Sequence, residues 1–503
     1  MKNEAETLSH AERGRAKDLF LNQIRFDLMF KYLYLKNQEK YGEFTDFFKD
    51  LYFEQIRIFN NFYERSPQKF LPKDFIDNFD TLAEKMRNEG FNRDYPIPIT
   101  KENQIENGAH RLVCSFLYDL DIYTERAKKY VEPKKYNYEY FQKRHINSLY
   151  ADYAALEYVK LNPNAYIVNL QPITSPEYDS QVINILEKYG FVYYKKNIFL
   201  SYNGLVNLKK VFYGTEKWIG TQLNDFRGAR KHAKSSSGPY PLRAFIFVCD
   251  DSKNVRKAKE EIRNIYNIGN SSVHINDTHE EAIEIAQYYF NDNSLFLLNN
   301  RPYNFEDKIY DNLIDKLKQH LDSEKVCCAG SSALNLFGLR RSEDLDYLSL
   351  NFQEINNEFI SEHSGKWESF YPKNKYELIL NPENYFYYRG VKFLTLENIL
   401  KMKSARGEEK DIKDCEMIQE FLDNAVDYSA IQNTNFEIYS DILQKLTSSV
   451  RAEVLFKQSF KQKYNRIMIP LSRNMLILKY KFLSKLSNKK KDYYLKKLNS
   501  LLQ

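Results

Sequence analysis

Apolar residues recur every three or four positions through Leu19, Phe20, Ile24, Phe26, Leu28, Met29, Tyr32 and Leu33, and again through Phe47, Leu51 and Ile56. That spacing predicts helices over much of residues 1–66. Ser66-Pro67 breaks the pattern. Beyond it the periodicity predicts a helix over 75–86, stopped at Asn88-Glu89-Gly90, and an extended edge segment at 95–99, where Pro96 and Pro98 alternate with Ile97 and Ile99. Gly108-Ala109-His110-Arg111 then leads into a further helix at Leu112.

From about 160 the pattern alternates between periods of two and of 3.6. It predicts strands over 165–170, 191–200, 242–249, 272–275 and 295–298, with helices over 178–189, 253–266 and 280–290 between them. Strands alternating with helices predict an α/β layer domain. Ser235-Ser236-Ser237-Gly238-Pro239 reads as a loop interrupting that layer. A helix over 305–321 opens another unit, and after about 430 the chain reads as helical and basic, ending near Lys489-Lys490-Lys491. At 503 residues the chain exceeds what one core normally holds, so several domains are expected. The boundaries read from the pattern are 1–66, 67–135, 136–304, 305–428 and 429–503.

The densest chemistry lies in the fourth unit. Ala329-Gly330-Ser331-Ser332 is a small-residue turn after an apolar run, and Asp344-Leu345-Asp346 follows it after an intervening helix-length stretch. On a strand, Asp344 and Asp346 would point to one side and Leu345 into the core. Two carboxylates so spaced can share a Mg²⁺ ion, which takes hard oxygen ligands and usually retains phosphate oxygens. Gly330, Ser331 and Ser332 offer backbone N–H groups and hydroxyls to a triphosphate. This layout suits phosphoryl or nucleotidyl transfer. Solvated loop acids with no metal, and a correct fold that has lost catalysis, are the alternatives.

The run Gly330 to Tyr347 resembles the nucleotidyltransferase superfamily, of polymerase-beta-like fold, and is most similar to the minimal abortive-infection type and to modules encoded in bacterial surface-glycan clusters. The downstream string from Gly390 to Glu397, then Lys401, Lys403, Arg406, Lys410-Asp411 and Asp414, resembles the same modules. The resemblance covers about 306–425. It implies Asp344 and Asp346 as catalytic and metal-holding acids, with Gly330, Ser331 and Ser332 on the nucleotide. It also implies a third carboxylate on a later strand, for which Glu377 is the candidate by position. Lys392, Lys401 or Lys410 would neutralise the leaving pyrophosphate.

Glu106-Asn107-Gly108-Ala109-His110-Arg111 is the second signal. It resembles the ParB/sulfiredoxin-like nucleotide-binding fold over about 67–130, whose members include kinases and CTP- or DNA-binding proteins. The resemblance implies Gly108, His110 and Arg111 as nucleotide-binding residues. The plainer alternative is a structural turn in which His110 and Arg111 cap carbonyls. The third signal is His274, Asp277 and His279 at a strand end and helix start, a candidate second site for a metal, a phosphate or acid–base chemistry. Thr278 and Glu281 have capping-box spacing, which explains part of that string. Trp218-Ile219-Gly220, followed by Arg227, Arg230, Lys231 and His232, is a basic stretch read as a solvated face in preference to an anion-facing surface.

Composition narrows the partners. Lys+Arg 74 against Asp+Glu 68 leaves +6, too mild to argue for nucleic acid. Forty Tyr and 35 Phe could stack on bases, but codon bias towards AT-rich triplets is the blander cause. Five scattered cysteines make neither a disulfide framework nor a zinc site. No run approaches a membrane span and the amino terminus is polar, so a reducing cytoplasm is expected.

The resulting expectation is an α/β multidomain protein: a helical N-terminal segment, a ParB/sulfiredoxin-like α+β module, an α/β middle domain, a nucleotidyltransferase fold and a helical basic C-terminal segment. It would be a Mg²⁺-dependent nucleotidyltransferase using an NTP, ATP or CTP, on a small phosphorylated sugar or polyol in surface-glycan synthesis, with the second module in a kinase-like role. An RNA-directed transferase or a non-catalytic nucleotide-binding regulator are the alternatives. A nucleic-acid partner is allowed but not favoured, and an oligomer is compatible.

Overall fold

The computed structural model describes residues 11–42, 46–65, 68–126, 136–355 and 357–428. Of these, all but 238–240 belong to one compact unit. The expected basic C-terminal unit at 429–503 lies outside the described residues.

The chain is mixed α/β. Its strands, in chain order, are β1 (Glu12–Arg15), β2 (Glu64–Arg65), β3 (Gln68–Lys69), β4 (Ile97–Ile99), β5 (Asp121–Arg126), β6 (Ala165–Leu170), β7 (Phe191–Ile198), β8 (Leu242–Val248), β9 (Val273–Ile275), β10 (Val326–Cys328), β11 (Leu345–Ser349), β12 (Ile360–Glu362), β13 (Tyr385–Tyr388) and β14 (Val391–Leu394). They form sheets of order β1-β5-β4, β7-β8-β6-β9 and β12-β11-β10-β14-β13, with β2-β3 a small ribbon.

The N-terminal periodicity does give helices, Ala16–Leu21, Asp27–Tyr41 and Asp46–Asn60. The proline-bearing β4 lies at a sheet edge, where the missing N–H groups remove no ladder bond from a central position. Beside it β5 pairs with β1, so the N-terminal segment completes the sheet of the following region. Neither β1 nor β5 carries an alternating apolar pattern; both are short and largely exposed.

In the middle region β6 and β8 are flanked strands of a wholly antiparallel sheet. Leu242, Ala244, Ile246 and Val248 of β8 face one core, and Phe245 and Phe247 face the other. That two-sided burial is why β8 reads as a continuous apolar run. Helices Asp179–Tyr189 and Ser252–Tyr266 cover the second face through Val182, Leu186, Val255, Ala258 and Ile262. One expectation is corrected here. Residues 295–298 are not a strand but part of the helix Asp292–Asn300, capped by the Asn291 side chain on the Ser294 N–H at 2.8 Å. A short apolar run cannot by its period distinguish a strand from a buried helix.

In the fourth region β10 runs antiparallel to β11 and parallel to β14. The register Cys328↔Tyr347 sets Gly330, just past the end of β10, beside Asp346 at the start of β11. Leu345 is fully buried, as expected of the apolar residue between the acids. Residues 375–380 form the helix Lys375–Leu380, started by an Asn374 cap on the Glu377 N–H. Glu377 is therefore on a helix, not on the later strand expected of a third carboxylate. All five cysteines are free. Among the described residues no helix is long and apolar enough to cross a membrane.

Candidate active site

The fold brings Gly330 and Asp346 into direct contact. Gly330 has φ +63°, a left-handed conformation disfavoured for residues with a Cβ. A Cβ there would sit 2.7 Å from Asp346 Oδ2. The Ala329 N–H donates to the Asp346 carbonyl at 2.8 Å, which ties the turn to β11. Gly330→Ala is therefore expected to lower stability by about 1–3 kcal/mol through backbone strain and displacement of the carboxylate. Urea denaturation measures it; an unchanged midpoint would mean that the turn is not so constrained.

Asp346 is 8% exposed, whereas Asp344, at the entry to β11, is exposed. Burial, then the charge of Asp344, pushes the Asp346 carboxyl up to about 6, while Arg406, Lys403 and Lys410 pull it down. The His363 Nε2 lies 3.2 Å from Asp346 Oδ1. His363 follows β12, which pairs in parallel with β11 through Asp346↔Ser361. Its ring meets Trp367 edge-on at 4.7 Å, and Arg406 stacks on the Trp367 face at 3.9 Å. Acid, imidazole, indole and guanidinium thus form one continuous wall.

Beneath the wall is a buried ion cluster. Arg406 donates to both oxygens of Asp411 at 2.6 and 2.7 Å, the bidentate geometry that orients a guanidinium. Lys403 contacts Asp411 at 3.0 Å and Asp414 at 2.8 Å, and Arg340 reaches Asp414 at 3.1 Å. Arg406 Nη1 is buried with no hydrogen-bond partner. A buried guanidinium nitrogen left unpaired carries a desolvation cost that the fold does not offset.

Other candidate residues are placed elsewhere. Ser331 Oγ is 2.7 Å from Ser342 Oγ, which lies 3.0 Å from Asp344 Oδ1, so Ser331 braces the acid pair through Ser342. Ser332 is buried on the one-turn helix Ser332–Leu336. Lys401 is exposed; the buried lysine of its helix, Leu396–Arg406, is Lys403, two positions on and so on the opposite side. Lys392 is buried at the other end of the sheet, donating to the Glu324 and Ile379 carbonyls at 2.9 and 3.2 Å and pairing with the Glu324 carboxylate. The Glu377 carboxylate accepts from Asn381 Nδ2 at 2.7 Å and lies 3.8 Å from Lys373. Neither Lys392 nor Glu377 joins the acid pair in these contacts.

In the second candidate region Gly108 has φ +82° and starts the helix Ala109–Leu117. His110 Nε2 is 3.0 Å from the Tyr52 hydroxyl and its ring packs on Phe79, and burial with the nearby Lys31 and Lys69 charges holds it well below the usual imidazole range. The Arg111 guanidinium folds over Gly108 and donates to the Tyr95 carbonyl. Arg111 thus caps a carbonyl, as in the alternative reading, whereas His110 meets a hydroxyl and an aromatic ring inside the core. Of the third set, only His274 is drawn into a cluster. Its Nε2 faces Glu281 at 2.9 Å and its Nδ1 faces the Tyr213 hydroxyl at 3.1 Å. His279 instead meets the Val159 carbonyl at 2.7 Å, and Asp277 is exposed, its N–H held by Glu281. Those three residues therefore do not converge, because the helix start at His279 turns that side chain away from His274.

Sequence reading missed His363 and Trp367. A histidine 17 positions beyond Asp346 carries no local signal; only the pairing of β12 with β11 joins them.

The donor set suits Mg²⁺. Asp344 and Asp346 are hard oxygen donors whose mutual repulsion a divalent cation relieves. Among the described residues no group of three or more His, Cys, Asp or Glu side chains is arranged to hold a metal ion. The rest of a six-coordinate shell would come from phosphate and water, as Mg²⁺ commonly prefers.

No protein-family model matches this chain, and no curated protein or solved structure does either.

Proposed function

We propose that this protein is a nucleotidyltransferase that moves a nucleoside monophosphate from an NTP, ATP or CTP, onto a small phosphorylated sugar or polyol. The acceptor phosphate oxygen forms a bond to the α-phosphorus, and the bond to pyrophosphate breaks. The observation that supports the reading best is the direct packing of Gly330 on Asp346, beside Asp344 and facing Arg406, Lys403 and Lys410.

Asp344 and Asp346 would hold Mg²⁺, which when bound supplies charge neutralisation and polarisation at the phosphates. Gly330, lacking a side chain, lets phosphate approach the backbone beside Asp346. His363, through its contact with Asp346 Oδ1, sets that carboxylate's rotamer and leaves Oδ2 towards the glycine turn. Arg406 Nη1 and Lys410 supply positive charge for the leaving pyrophosphate. Asp411 and Asp414 hold the cationic side chains in place and touch no substrate.

The test is pyrophosphate release from each NTP with a panel of phosphorylated polyols and sugars in the presence of Mg²⁺. Release by the wild type and its loss in Asp346→Ala supports the reading. Absence of release with every NTP and acceptor overturns it. Release that depends on added RNA would transfer the same site to a nucleic-acid acceptor.

A further inference from the structure

A second polar cluster lies where the carboxyl end of β6 meets β9. Gln171 directly follows β6, and its N–H donates to the Ser272 carbonyl at 2.9 Å. Lys209 comes from the helix Tyr202–Tyr213, which also supplies Phe212 and Tyr213 at helical spacing. Phe212 stacks on His274 at 4.5 Å, and the Lys209 ammonium lies 5.8 Å from the Phe212 ring centre. His232, from the helix Arg227–Ser236, packs on Tyr213 and on Trp218.

The hydrogen-bond inventory of this cluster is unbalanced. Lys209 is 1% exposed and donates to Gln171 Oε1 at 2.6 Å. Among the described residues no carboxylate lies within ion-pair distance of it. The nearby Glu281 is committed, with Oε1 on His274 and Oε2 on the Asp277 N–H at 2.8 Å. Burial accordingly draws the Lys209 ammonium down to about 7 and the His232 imidazolium down to about 4. Gln171 Nε2, His232 Nδ1 and Arg263 Nε are all buried without a partner. Arg263 is close enough to act on the Tyr213 hydroxyl electrostatically. Two of those three atoms can only donate, and the third does so in one tautomer. Each buried donor left unmade carries a desolvation cost, so a core built for stability alone would not collect them.

We propose that Gln171, Lys209, His232 and Arg263 form a binding site for a small oxyanion of the phosphate class, a phosphate monoester or inorganic phosphate. A tetrahedral dianion brings acceptors only, and it can accept from several directions at once. It also gives the buried Lys209 the counter-charge that the protein withholds. Trp218, 46% exposed, packs on His232 at 5.6 Å and belongs to the basic stretch that includes Arg230 and Lys231. The site does not depend on the acid pair at Asp344 and Asp346.

Trp218 supplies the readout. The chain has two tryptophans, so in a Trp367→Phe background of the full chain its emission is the only tryptophan signal. Inorganic phosphate, added at constant pH and ionic strength against chloride, is expected to change that emission saturably and to raise the melting temperature. Lys209→Met, which keeps the apolar stem and removes the charge, is expected to weaken the response by about tenfold or more. Gln171→Leu is expected to weaken it in the same direction and serves if Lys209→Met does not fold. No saturable response in the Trp367→Phe protein overturns the proposal. So does an undiminished response in folded Lys209→Met, or in Gln171→Leu.

Discussion

Asp346→Asn is expected to lower nucleotidyl transfer by about a thousandfold or more while making the unliganded fold more stable at neutral pH. The first effect follows from removing one of the two hard ligands and the negative charge that would grip the metal. The second follows from the raised carboxyl. Asp346 titrates near 6 in the fold against an ordinary 3.8, so the folded state binds its proton more tightly than the unfolded chain does. The stability this acid contributes is complete below about 3.8 and is lost as pH rises through about 6. At neutral pH the ionised form is therefore a penalty of about 3 kcal/mol, and the neutral amide removes it. Denaturant midpoints across pH measure the difference, which should vanish near pH 4. Added Mg²⁺ should raise the melting temperature of the wild type at neutral pH but not that of the variant. A variant that is less stable than the wild type at neutral pH would contradict the assigned electrostatics.

Asp411→Ala is expected to be the most destabilising single change near the site, at about 3–5 kcal/mol. Asp411 is fully buried and accepts from Lys403 and from both arms of Arg406. Burial works against its charge, but those three donor bonds and the two cations hold the carboxyl down at about 2. The sign is the reverse of that at Asp346. Its contribution is complete above an ordinary 3.8 and is lost as pH falls through about 2, so it is present throughout the working range. Removing the acid leaves Arg406 without its bidentate partner and Lys403 with Asp414 alone, an excess of buried positive charge. Urea denaturation reads the loss, and replacing Lys403 by Met in the same chain should restore part of it, since the uncompensated charge is then removed. Transfer activity should also fall, because Arg406 loses the bidentate contact that aims Nη1. Wild-type stability in Asp411→Ala would mean that the cluster is not buried as described.

Much of the secondary structure was legible along the chain. The helices at Pro72–Glu89, Asp179–Tyr189, Ser252–Tyr266 and Lys308–His320 follow plain amphipathic spacing, with Gly90 and Gly190 as stops. The strands β6, β8 and β10 follow apolar runs that are buried on arrival. The misreadings have local causes. Leu295 and its neighbours are apolar on every side because their helix is buried, which erases the period that would have identified it. Glu377 sits in an apolar pentamer that reads equally as a strand, and Asn374, whose side chain starts the helix, was the overlooked signal.

The candidate chemistry divides in the same way. The primary sequence determined that two acids flank a core leucine after a glycine–serine turn, because strand alternation and the turn chemistry are local. The resemblance named Lys403, Arg406, Asp411 and Asp414, but their meeting as ion pairs follows from the packing of the helices Leu396–Arg406 and Glu409–Asn424. Only the tertiary structure decided that Asp346 Oδ2 lies against Gly330, that His363 and Trp367 extend the wall to Arg406, and that Lys392 serves Glu324 at the far end of the sheet. Those outcomes depend on which strand pairs with which and in what register. Pairing partners far apart in the chain are selected by burial of the whole sheet, and no short stretch of residues encodes that selection by itself.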